Sequence, residues 1–366
     1  MEFKTIGFIG LGLIGGSIAK SIKRKEKDIK IIAFDSDISN TTMALQEKII
    51  DFIAPEIDST FTECDCIFLC APVLYNIENL KRLKNIKKAD ALITDVSSIK
   101  GEVHIEVEKL GLDDSFIGGH PMAGSEKTGY KNSTDHMMEN AYYVLTPGGD
   151  VALPVISSFV DLISAIGAIP LILTHEEHDF ITAAISHLPH IIASSLVNLV
   201  EAMDSKDQHM RLIAAGGFRD LTRIASSSPE MWEHICLTNH KNISKILDAY
   251  IKYLISIRVN IDNQQGAELY QMFENSRDYR DSLPSKVSGP IKKSYIIYCD
   301  IVDQAGAIAT IATILACNSI SIKNIGIIHN REFEEGVLKI EFYDESSCNA
   351  ANEVLKSNRY ITYQVS

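Results

Sequence analysis

The sequence predicts an α/β protein in three parts. A doubly wound, largely parallel sheet is predicted over residues 1–173 and an all-α domain over 174–280; after a linker at 281–293, a βαββαβ module is predicted over 294–366. Short apolar runs alternate with amphipathic stretches up to residue 173, as in a parallel sheet covered by helices. Helical periodicity with few β-branched runs then follows. A chain of 366 residues also exceeds what one hydrophobic core usually supports, which favours several domains.

Apolar runs define the elements of the first two parts. Each run of the sheet domain is short and bounded by polar or glycine-containing segments. These runs are Thr5–Gly10, Lys30–Asp35, Cys66–Ala71, Ala91–Val96, Phe116–Gly119, Ala141–Leu145 and Ile169–Leu173. The stretches with helical spacing in the second part are Thr174–Asp204, Lys206–Ser226 and Pro229–Val259.

The third part follows a segment, Arg277–Lys293, whose density of proline, glycine and serine is typical of a linker. Strand-like and helix-like runs then alternate. They are strand Tyr295–Cys299, helix Ala305–Cys317, strands Ile320–His329 and Gly336–Tyr343, helix Ser346–Lys356 and strand Tyr360–Val365. This order is that of a ferredoxin-like module.

Composition limits the partners of the chain. With 46% hydrophobic and 23% charged residues, no stretch approaches the ~20 uninterrupted apolar residues of a membrane span. The N-terminal residues run directly into a strand, without a signal peptide, so we expect a cytoplasmic protein with no membrane partner. A net charge of −13 disfavours nucleic-acid backbones, which require a basic surface.

The cysteines and histidines predict no resident metal. Seven cysteines are present without a Cys-x-x-Cys pair, and those at 64, 66 and 70 fit buried strand thiols. His187 and His190 lie three residues apart but lack a suitably spaced carboxylate. The histidines at 175 and 178 lie in a predicted helix start, which Thr174 caps with Glu177 at the capping-box position.

The segment Gly10–Gly15, Gly-x-Gly-x-x-Gly, directly follows a strand and opens a helix, Ser17–Arg24. In that context the glycines allow a tight turn, close approach of a pyrophosphate, and close packing of helix on strand, as in Rossmann-type dinucleotide-binding domains. Asp35 ends the second strand, twenty residues after Gly15, where a carboxylate binds the ribose hydroxyls and repels the extra phosphate of NADP. The predicted cofactor is therefore NAD, contacted by Gly10, Gly12, Leu13, Ile14, Gly15, Asp35, Ala71 and Pro72. For Ala71 and Pro72 a simple strand exit is the alternative.

Two further strand ends carry polar groups. Thr94–Lys100 ends a strand and starts a helix, where Ser98 is either a helix cap or a functional hydroxyl. In Gly118–Glu126, Pro121 holds His120 in an extended conformation beside two glycines that let a ligand approach. A histidine in this setting is predicted to be functional.

Gly216–Ala225 contains two arginines, Arg219 and Arg223, at helical spacing. On a helix they share one face, where two guanidinium groups would suit a substrate that carries carboxylates. The alternative is surface pairing with Asp220, which contributes little energy.

Together these motifs resemble the bacterial prephenate/arogenate dehydrogenases of tyrosine biosynthesis. The resemblance covers five ordered motifs and a downstream tryptophan: Gly10–Ser17, Asp95–Lys100, Gly118–Glu126, Ser186–His190, Gly216–Ala225 and Trp232. One position departs from the pattern, because Ser97 stands where the family usually has glycine. The C-terminal module resembles an ACT domain, which commonly binds amino acids as regulators.

The resemblance implies NAD-dependent oxidative decarboxylation of prephenate to 4-hydroxyphenylpyruvate by a homodimer. His120 would accept the ring hydroxyl proton, Ser98 would hydrogen bond that hydroxyl or His120, and Arg223 would bind a carboxylate. Further residues implied to border the substrate are His190, Arg219, Glu126, Asp220 and Trp232. In the ACT-like module, tyrosine would be the effector, bound near Asp303, Ala305, Gly306 and Asn318; a purely dimerising role is the alternative.

Three other functions are compatible with the motifs. An arogenate-specific or dual-specificity cyclohexadienyl dehydrogenase would differ only in substrate preference. A hydroxyacid or imine reductase would use a helix lysine, for which Lys241 and Lys245 are the candidates, although neither lies in a comparable motif. A non-catalytic sensor of NAD and an amino acid belongs to another class and would produce no NADH.

Overall fold

The computed structural model describes residues 3–124, 127–283, 295–301, 306–328 and 336–365. The chain forms two compact units, Met1–Val287 and Ser288–Ser366. The first unit holds the predicted sheet and helical domains, and the second holds the C-terminal module.

An eight-stranded sheet organises the first half of the first unit. Its strands are β1 (Thr5–Ile9), β2 (Lys30–Phe34), β3 (Phe52–Ile53), β4 (Cys66–Leu69), β5 (Leu92–Asp95), β6 (Phe116–Pro121), β7 (Tyr142–Pro147) and β8 (Ile169–Ile172). The order is β3-β2-β1-β4-β5-β6-β7-β8, and only the β6–β7 pair is antiparallel. The first six positions reproduce the 3-2-1-4-5-6 order of dinucleotide-binding folds. All seven predicted strands are confirmed, whereas β3 was not predicted because two residues show no periodicity.

Helices cover both faces of this sheet. They are α1 (Leu13–Lys25), α2 (Ile38–Gln46), α3 (Val73–Leu83), α4 (Gly101–Leu110) and α5 (Leu153–Ala165). Successive residues of β4 belong to different apolar clusters, with Phe68 in one and Ile67 in the other. Phe68 stacks on Phe8 with ring centroids 5.0 Å apart. A strand buried on both faces reads as a continuous apolar run, which is why the sequence revealed these strands.

The cysteines of the sheet domain are structural. All seven cysteines of the chain are free thiols, and Cys64 and Cys66 are buried. Burial raises the pKa of Cys64 to about 12, so that its thiol stays protonated at neutral pH. Among the described residues, no group of three or more histidine, cysteine or acidic side chains is placed to hold a metal ion.

Seven helices form the second half of the unit. They are α6 (His175–Thr182), α7 (Leu188–Met203), α8 (His209–Ile213), α9 (Gly216–Thr222), α10 (Pro229–Thr238), α11 (His240–Asp262) and α12 (Gly266–Ser282). The predicted capping box at α6 is confirmed, because Thr174 and Glu177 exchange both hydrogen bonds. Helix α12 continues to Ser282, and so covers the first residues of the segment in which composition predicts a linker.

A π-helical turn, Ala183–His187, joins α6 to α7. Pro189 lies in the first turn of α7, where it has no N–H to donate and its ring conflicts with the carbonyl group four residues earlier. The wider turn before Pro189 lets the helix continue past the proline. The last residue of this turn is a buried histidine, His187. Such π turns are frequent at functional sites.

The joined helix His175–Met203 is long and apolar enough to cross a membrane by length and composition, and 28% of its most apolar window is buried within the chain. Core helices of helical domains meet the same criteria. This helix carries buried polar side chains, among them His178 and Asp179, which bond to the sheet domain. Those bonds attach the start of this helix to the sheet domain.

The second unit is an antiparallel sheet with two helices. Its elements are β9 (Tyr295–Ile301), α13 (Ala307–Cys317), β10 (Asn324–Ile328), β11 (Gly336–Phe342), α14 (Glu345–Ser357) and β12 (Thr362–Val365). The strand order is β10-β11-β9-β12. Its core contains Ile297, Ile311 and Leu338, with side chains from both the sheet and the helices. Gly306 precedes α13 and Asn318 follows it, while Asp303 and Ala305 lie outside the described residues.

Candidate active site

The glycine loop lies at the point where the strand order of the sheet reverses, between β1 and β4. It follows β1, and β4, the neighbour of β1, ends beside it. Gly10 has φ +94°, and a Cβ added there would lie 2.8 Å from the carbonyl carbon of Cys70. A Cβ on Gly15 would lie 2.5 Å from the Gly10 oxygen, whereas one on Gly12 would meet nothing within 4 Å. Gly10 and Gly15 therefore serve packing, and Gly12 leaves open space beside the helix.

That open space lies at the N-terminus of α1. The helix begins at Leu13, and neither a capping side chain nor an acidic residue occupies its first turn. Unpaired backbone N–H groups and the positive end of the helix dipole favour an anion there. The geometry fits the pyrophosphate of a dinucleotide, with Leu13 and Ile14 in the first turn.

The Asp35 carboxylate is held against the same loop. Its Oδ2 accepts a hydrogen bond from the Leu11 N–H at 2.5 Å. Its Oδ1 accepts from the backbone N–H of Asp37 at 2.8 Å and from the Asn40 side chain at 3.3 Å. The carboxylate is half-buried at the end of β2. It is thus positioned beside the glycine loop with lone pairs left for ribose hydroxyls.

The Ala71–Pro72 turn is held by an asparagine that the sequence did not single out. Asn76 is buried; its Oδ1 accepts from the Ala71 N–H at 3.1 Å, and its Nδ2 donates to the Ala71 oxygen at 2.7 Å. Nδ2 also donates to the Ser97 hydroxyl at 3.1 Å. The hydroxyl at the position where the family pattern has glycine therefore links the loops that follow β4 and β5.

A buried lysine connects the ends of β5 and β6. Lys100 Nζ donates to Asp95 Oδ1 at 2.5 Å and to the Gly119 oxygen at 2.7 Å. The Gly119 N–H donates to the same Asp95 oxygen at 3.1 Å. Burial lowers the pKa of Lys100, and the neighbouring Asp95 carboxylate opposes that shift. Gly119, whose oxygen Lys100 binds, directly precedes His120 in the chain. The ion pair therefore holds in place the end of β6, which carries His120.

His120 is the first member of a row of three polar side chains. Its Nδ1 lies 2.7 Å from Nε2 of His178, and Nδ1 of His178 lies 2.8 Å from Asp179 Oδ1. The Asp179 carboxylate also accepts from the backbone N–H groups of Lys100 at 2.8 Å and Gly101 at 2.7 Å. It thereby caps α4, which has no side-chain cap of its own.

The charge states in this row follow from burial and hydrogen bonding. Burial, reinforced by His178, Lys100 and His187, lowers the pKa of His120 well below its usual range, so the ring is neutral at pH 7. Burial alone would raise the pKa of Asp179, but hydrogen bonds from His178, Lys100 and Gly101 more than offset it and lower that pKa. A neutral imidazole at this sheet edge can accept a proton.

Helical-domain side chains extend the row towards Trp232. Asn239 donates to the Asp179 backbone oxygen at 2.8 Å and lies 3.3 Å from His187 Nδ1. The His187 ring meets Trp232 edge-on, and the His190 ring stacks on Trp232 with centroids 3.8 Å apart. The buried Trp232 Nε1 has no hydrogen-bond partner in the described part of the chain, which leaves a donor for a ligand.

The two arginines lie on the exposed side of the helical domain. Arg219 belongs to α9, which ends at Thr222, and Arg223 begins a 3₁₀ turn, Arg223–Ser226, that packs against α7. Both side chains and that of Asp220 are exposed. Glu126 lies outside the described residues.

Comparison with known proteins identifies the family. The family model described as prephenate dehydrogenase, nucleotide-binding domain, matches residues 18–169, and the one described as prephenate dehydrogenase, dimerization domain, matches residues 174–275. The chain is 37% identical to the prephenate dehydrogenase of Bacillus subtilis (strain 168) over 355 residues, which are 96% of each chain. The chain belongs to the prephenate dehydrogenase family.

Solved structures of the family have the same fold. The prephenate dehydrogenase from A. aeolicus, in complex with hydroxyphenyl propionate and NAD+, matches with a TM-score of 0.73 and 30% identity, over 78% of this chain and 99% of that chain. The Synechocystis arogenate dehydrogenase matches with a TM-score of 0.70 and 28% identity, over 76% of this chain and 100% of that one. The family resemblance inferred from the motifs is confirmed.

Within the site of this family member, His120 contacts a histidine that the motifs do not single out. The resemblance implies that His120 accepts the proton of the substrate hydroxyl, and that Ser98 hydrogen bonds either that hydroxyl or His120. Ser98 is half-buried and forms no hydrogen bond with His120 in the described structure, where His178 contacts the ring instead. The sequence placed His178 only in a predicted helix start and did not single out Asp179. An adjacent histidine and aspartate near the start of a helix that continues as a long apolar run was the available signal.

The Lys100 pair yields a prediction about stability. Lys100→Met leaves the Asp95 carboxylate buried without a counter-charge, and we expect the free energy of unfolding to fall by about 3–5 kcal/mol. Urea unfolding followed by fluorescence of the single tryptophan, Trp232, measures it. Lys81→Met is the matched control, because the exposed Lys81–Glu78 pair should matter little. Equal effects in both variants would contradict the role of burial.

Proposed function

We propose that the chain catalyses the NAD-dependent oxidative decarboxylation of prephenate to 4-hydroxyphenylpyruvate. The observation that carries the proposal is a half-buried histidine with a lowered pKa, His120, at the sheet edge that also holds the glycine loop. Membership in the prephenate dehydrogenase family supports it. A sensor or a lysine-dependent reductase would not need this histidine.

The residues at the glycine loop fit NAD. Space beside Gly12 and the uncapped start of α1 suit the pyrophosphate, and Asp35 is positioned for the ribose. Ala71 and Pro72, at the end of neighbouring β4, would border the nicotinamide. When bound, NAD supplies the hydride acceptor.

His120 would act as the general base. As hydride leaves the ring carbon that carries the hydroxyl, the imidazole takes the hydroxyl proton and a ring carbonyl forms. Loss of the ring carboxylate as carbon dioxide sends its bonding electrons through the ring to that carbonyl oxygen. The imidazolium can return the proton to this oxygen, giving the phenol. Prephenate and NAD+ thus yield 4-hydroxyphenylpyruvate, carbon dioxide and NADH without net release of a proton.

The remaining predicted residues would bind the substrate. Prephenate carries two carboxylates, and a guanidinium can bind one with two hydrogen bonds. Arg223 is proposed for that role, and the free Nε1 of Trp232 offers another donor beside His190. Ser98 is proposed to hydrogen bond the substrate hydroxyl. The proposed border of the pocket is completed by Arg219, Asp220 and Glu126.

A homodimer is the proposed assembly, because the helical domain leaves apolar faces exposed. Helix α11 spans 23 residues, of which only Ile243 is buried, and α12 buries none. Exposed apolar side chains on these two helices include Ile251, Leu254, Ile255, Val259, Tyr270 and Phe273. A second copy of the same domain would cover such faces, in agreement with the family description of this region.

The second unit is proposed to be an ACT domain that binds tyrosine as a feedback inhibitor. Its βαββαβ element order and its strand order are those expected of that fold. Gly306, the residue before α13, has a positive φ of +92°. Gly306 and Asn318 flank that helix and, with Asp303 and Ala305, form the proposed effector site. We further propose the domain boundaries 1–173, 174–280 and 294–366 and a cytoplasmic location.

Substituting His120 tests the activity. His120→Asn should leave NAD binding intact and lower kcat for prephenate-dependent NADH formation by about 10²–10⁴-fold, the usual contribution of a general base. NADH absorbance with prephenate and with arogenate measures the rate and the preferred substrate. His240→Asn, at an exposed histidine, is the control. An undiminished rate in His120→Asn would refute the assigned role.

Substituting Asp35 tests cofactor selectivity. In Asp35→Ser the ribose hydroxyls lose a charged acceptor and the extra phosphate of NADP is no longer repelled, so KM for NAD should rise about tenfold or more while NADP becomes usable. Steady-state kinetics with both nucleotides measure the change. Asp37→Ser in the same loop, where the carboxylate caps α2, is the matched control. Unchanged selectivity in Asp35→Ser would place the ribose elsewhere.

Tyrosine titration tests the regulatory proposal. Tyrosine should inhibit NADH formation by the full-length chain, and Asn318→Ala should weaken inhibition without changing the uninhibited rate. Asn318 Nδ2 caps the Ile314 carbonyl at 2.8 Å, and Asn358 Nδ2 caps Val354 at the same distance in α14. Asn358→Ala removes an equivalent helix cap but no proposed effector contact, so comparing the two variants separates the two effects. Absence of inhibition in the wild type would favour a purely dimerising unit.

A further inference from the structure

We propose that His178 and Asp179 are positioning residues that fix the His120 proton on Nδ1, so that Nε2 of His120 faces the substrate hydroxyl as an unprotonated acceptor. The proposal deepens, and rests on, the proposed role of His120 as general base. Of these two residues, His178 was placed by the sequence only in a helix start, and Asp179 was not singled out.

The Asp179 carboxylate can only accept hydrogen bonds. Its Oδ1 accepts from the Lys100 backbone N–H at 2.8 Å, and its Oδ2 accepts from the Gly101 N–H at 2.7 Å. These bonds and the N-terminus of α4 stabilise the ionised carboxylate. Nδ1 of His178, 2.8 Å from Oδ1, must therefore carry a proton.

The other ring nitrogen of His178, Nε2, contacts His120. In the proposed arrangement His178 is the neutral tautomer with its proton on Nδ1, so that its Nε2 is an acceptor. Nε2 of His178 lies 2.7 Å from Nδ1 of His120, so the His120 nitrogen is the donor of that hydrogen bond. The lone pair of neutral His120 is then on Nε2, the nitrogen that a base must present to the substrate.

The surrounding groups favour this arrangement. Burial disfavours a positive charge on His120 in the resting state, and so does the cationic Nζ of Lys100, which is paired with Asp95 on β5. Asn239, from the start of α11, donates to the Asp179 backbone oxygen and holds the row against the helical domain. When His120 accepts a proton during the reaction, the Asp179 carboxylate, acting through His178, stabilises the new charge.

Two substitutions at His178 test the role. In His178→Leu the acceptor for the His120 Nδ1–H is lost, and we expect kcat to fall about 10²–10⁴-fold with KM for NAD little changed. In His178→Gln the side-chain oxygen can take the place of Nε2, and we expect at least about tenfold recovery of kcat relative to His178→Leu. Glu177→Ala, which removes the capping box of α6 without touching the row, should keep the wild-type kcat. Thermal unfolding and NAD binding verify that each variant is folded.

A direct readout of the proton does not depend on activity. Protein labelled with ¹⁵N in its histidine rings should give a His120 spectrum with the proton on Nδ1, assigned by loss of that signal in His120→Asn. A wild-type His120 protonated on Nε2 would overturn the proposal. So would wild-type kcat in His178→Leu, or equal loss of kcat in His178→Leu and His178→Gln.

The two tests also separate this proposal from the proposed function. Should the wild-type protein form no NADH from prephenate or arogenate, the proposed function fails, while the tautomer of His120 is still read from the spectrum. Should NADH form and the spectrum place the proton on Nε2, only the positioning role fails.

Discussion

A buried ammonium group bridges two strands at the point where their ladder ends. Strands β5 and β6 pair only at Ile93–Phe116 and Thr94–Ile117. Beyond Thr94, the Asp95 side chain, in place of the β5 backbone, accepts a hydrogen bond from β6. Lys100 Nζ completes this bridge by binding Asp95 and the Gly119 oxygen. The separation of the strands opens the sheet edge for a ligand, and the ion pair keeps that edge rigid, since leaving either charge unpaired in the core would be costly.

The backbone of the same lysine ties the edge to the helical domain. Its N–H donates to Asp179, whose carboxylate caps α4 and contacts His178, which in turn contacts His120. One carboxylate therefore satisfies a helix terminus and orders the histidine row. These polar groups need one another as hydrogen-bond partners, so the row is held in one arrangement before any ligand binds.

The helical domain contributes to the site and leaves a surface for assembly. The π turn before Pro189 places His187 in the core, where it meets Asn239 and Trp232, while the later helices α11 and α12 bury almost nothing within the chain. The first half of the domain thus contributes side chains to the proposed active site. In the proposed homodimer, a second subunit would cover the exposed apolar side chains of the other half.

The sequence by itself determined the sheet and the glycine loop, and it singled out His120 as a candidate. Strands buried on both faces appear as apolar runs, and glycines in a strand-turn-helix context imply close packing, so these features depend on local pattern. Only the tertiary structure decided which groups act on His120. His178 lies 58 residues away in the chain, and Asp179 lies 79 residues from Lys100. Local periodicity predicts that such side chains are buried in a helix, but hydrogen-bond partners of buried polar groups are set by how distant elements pack.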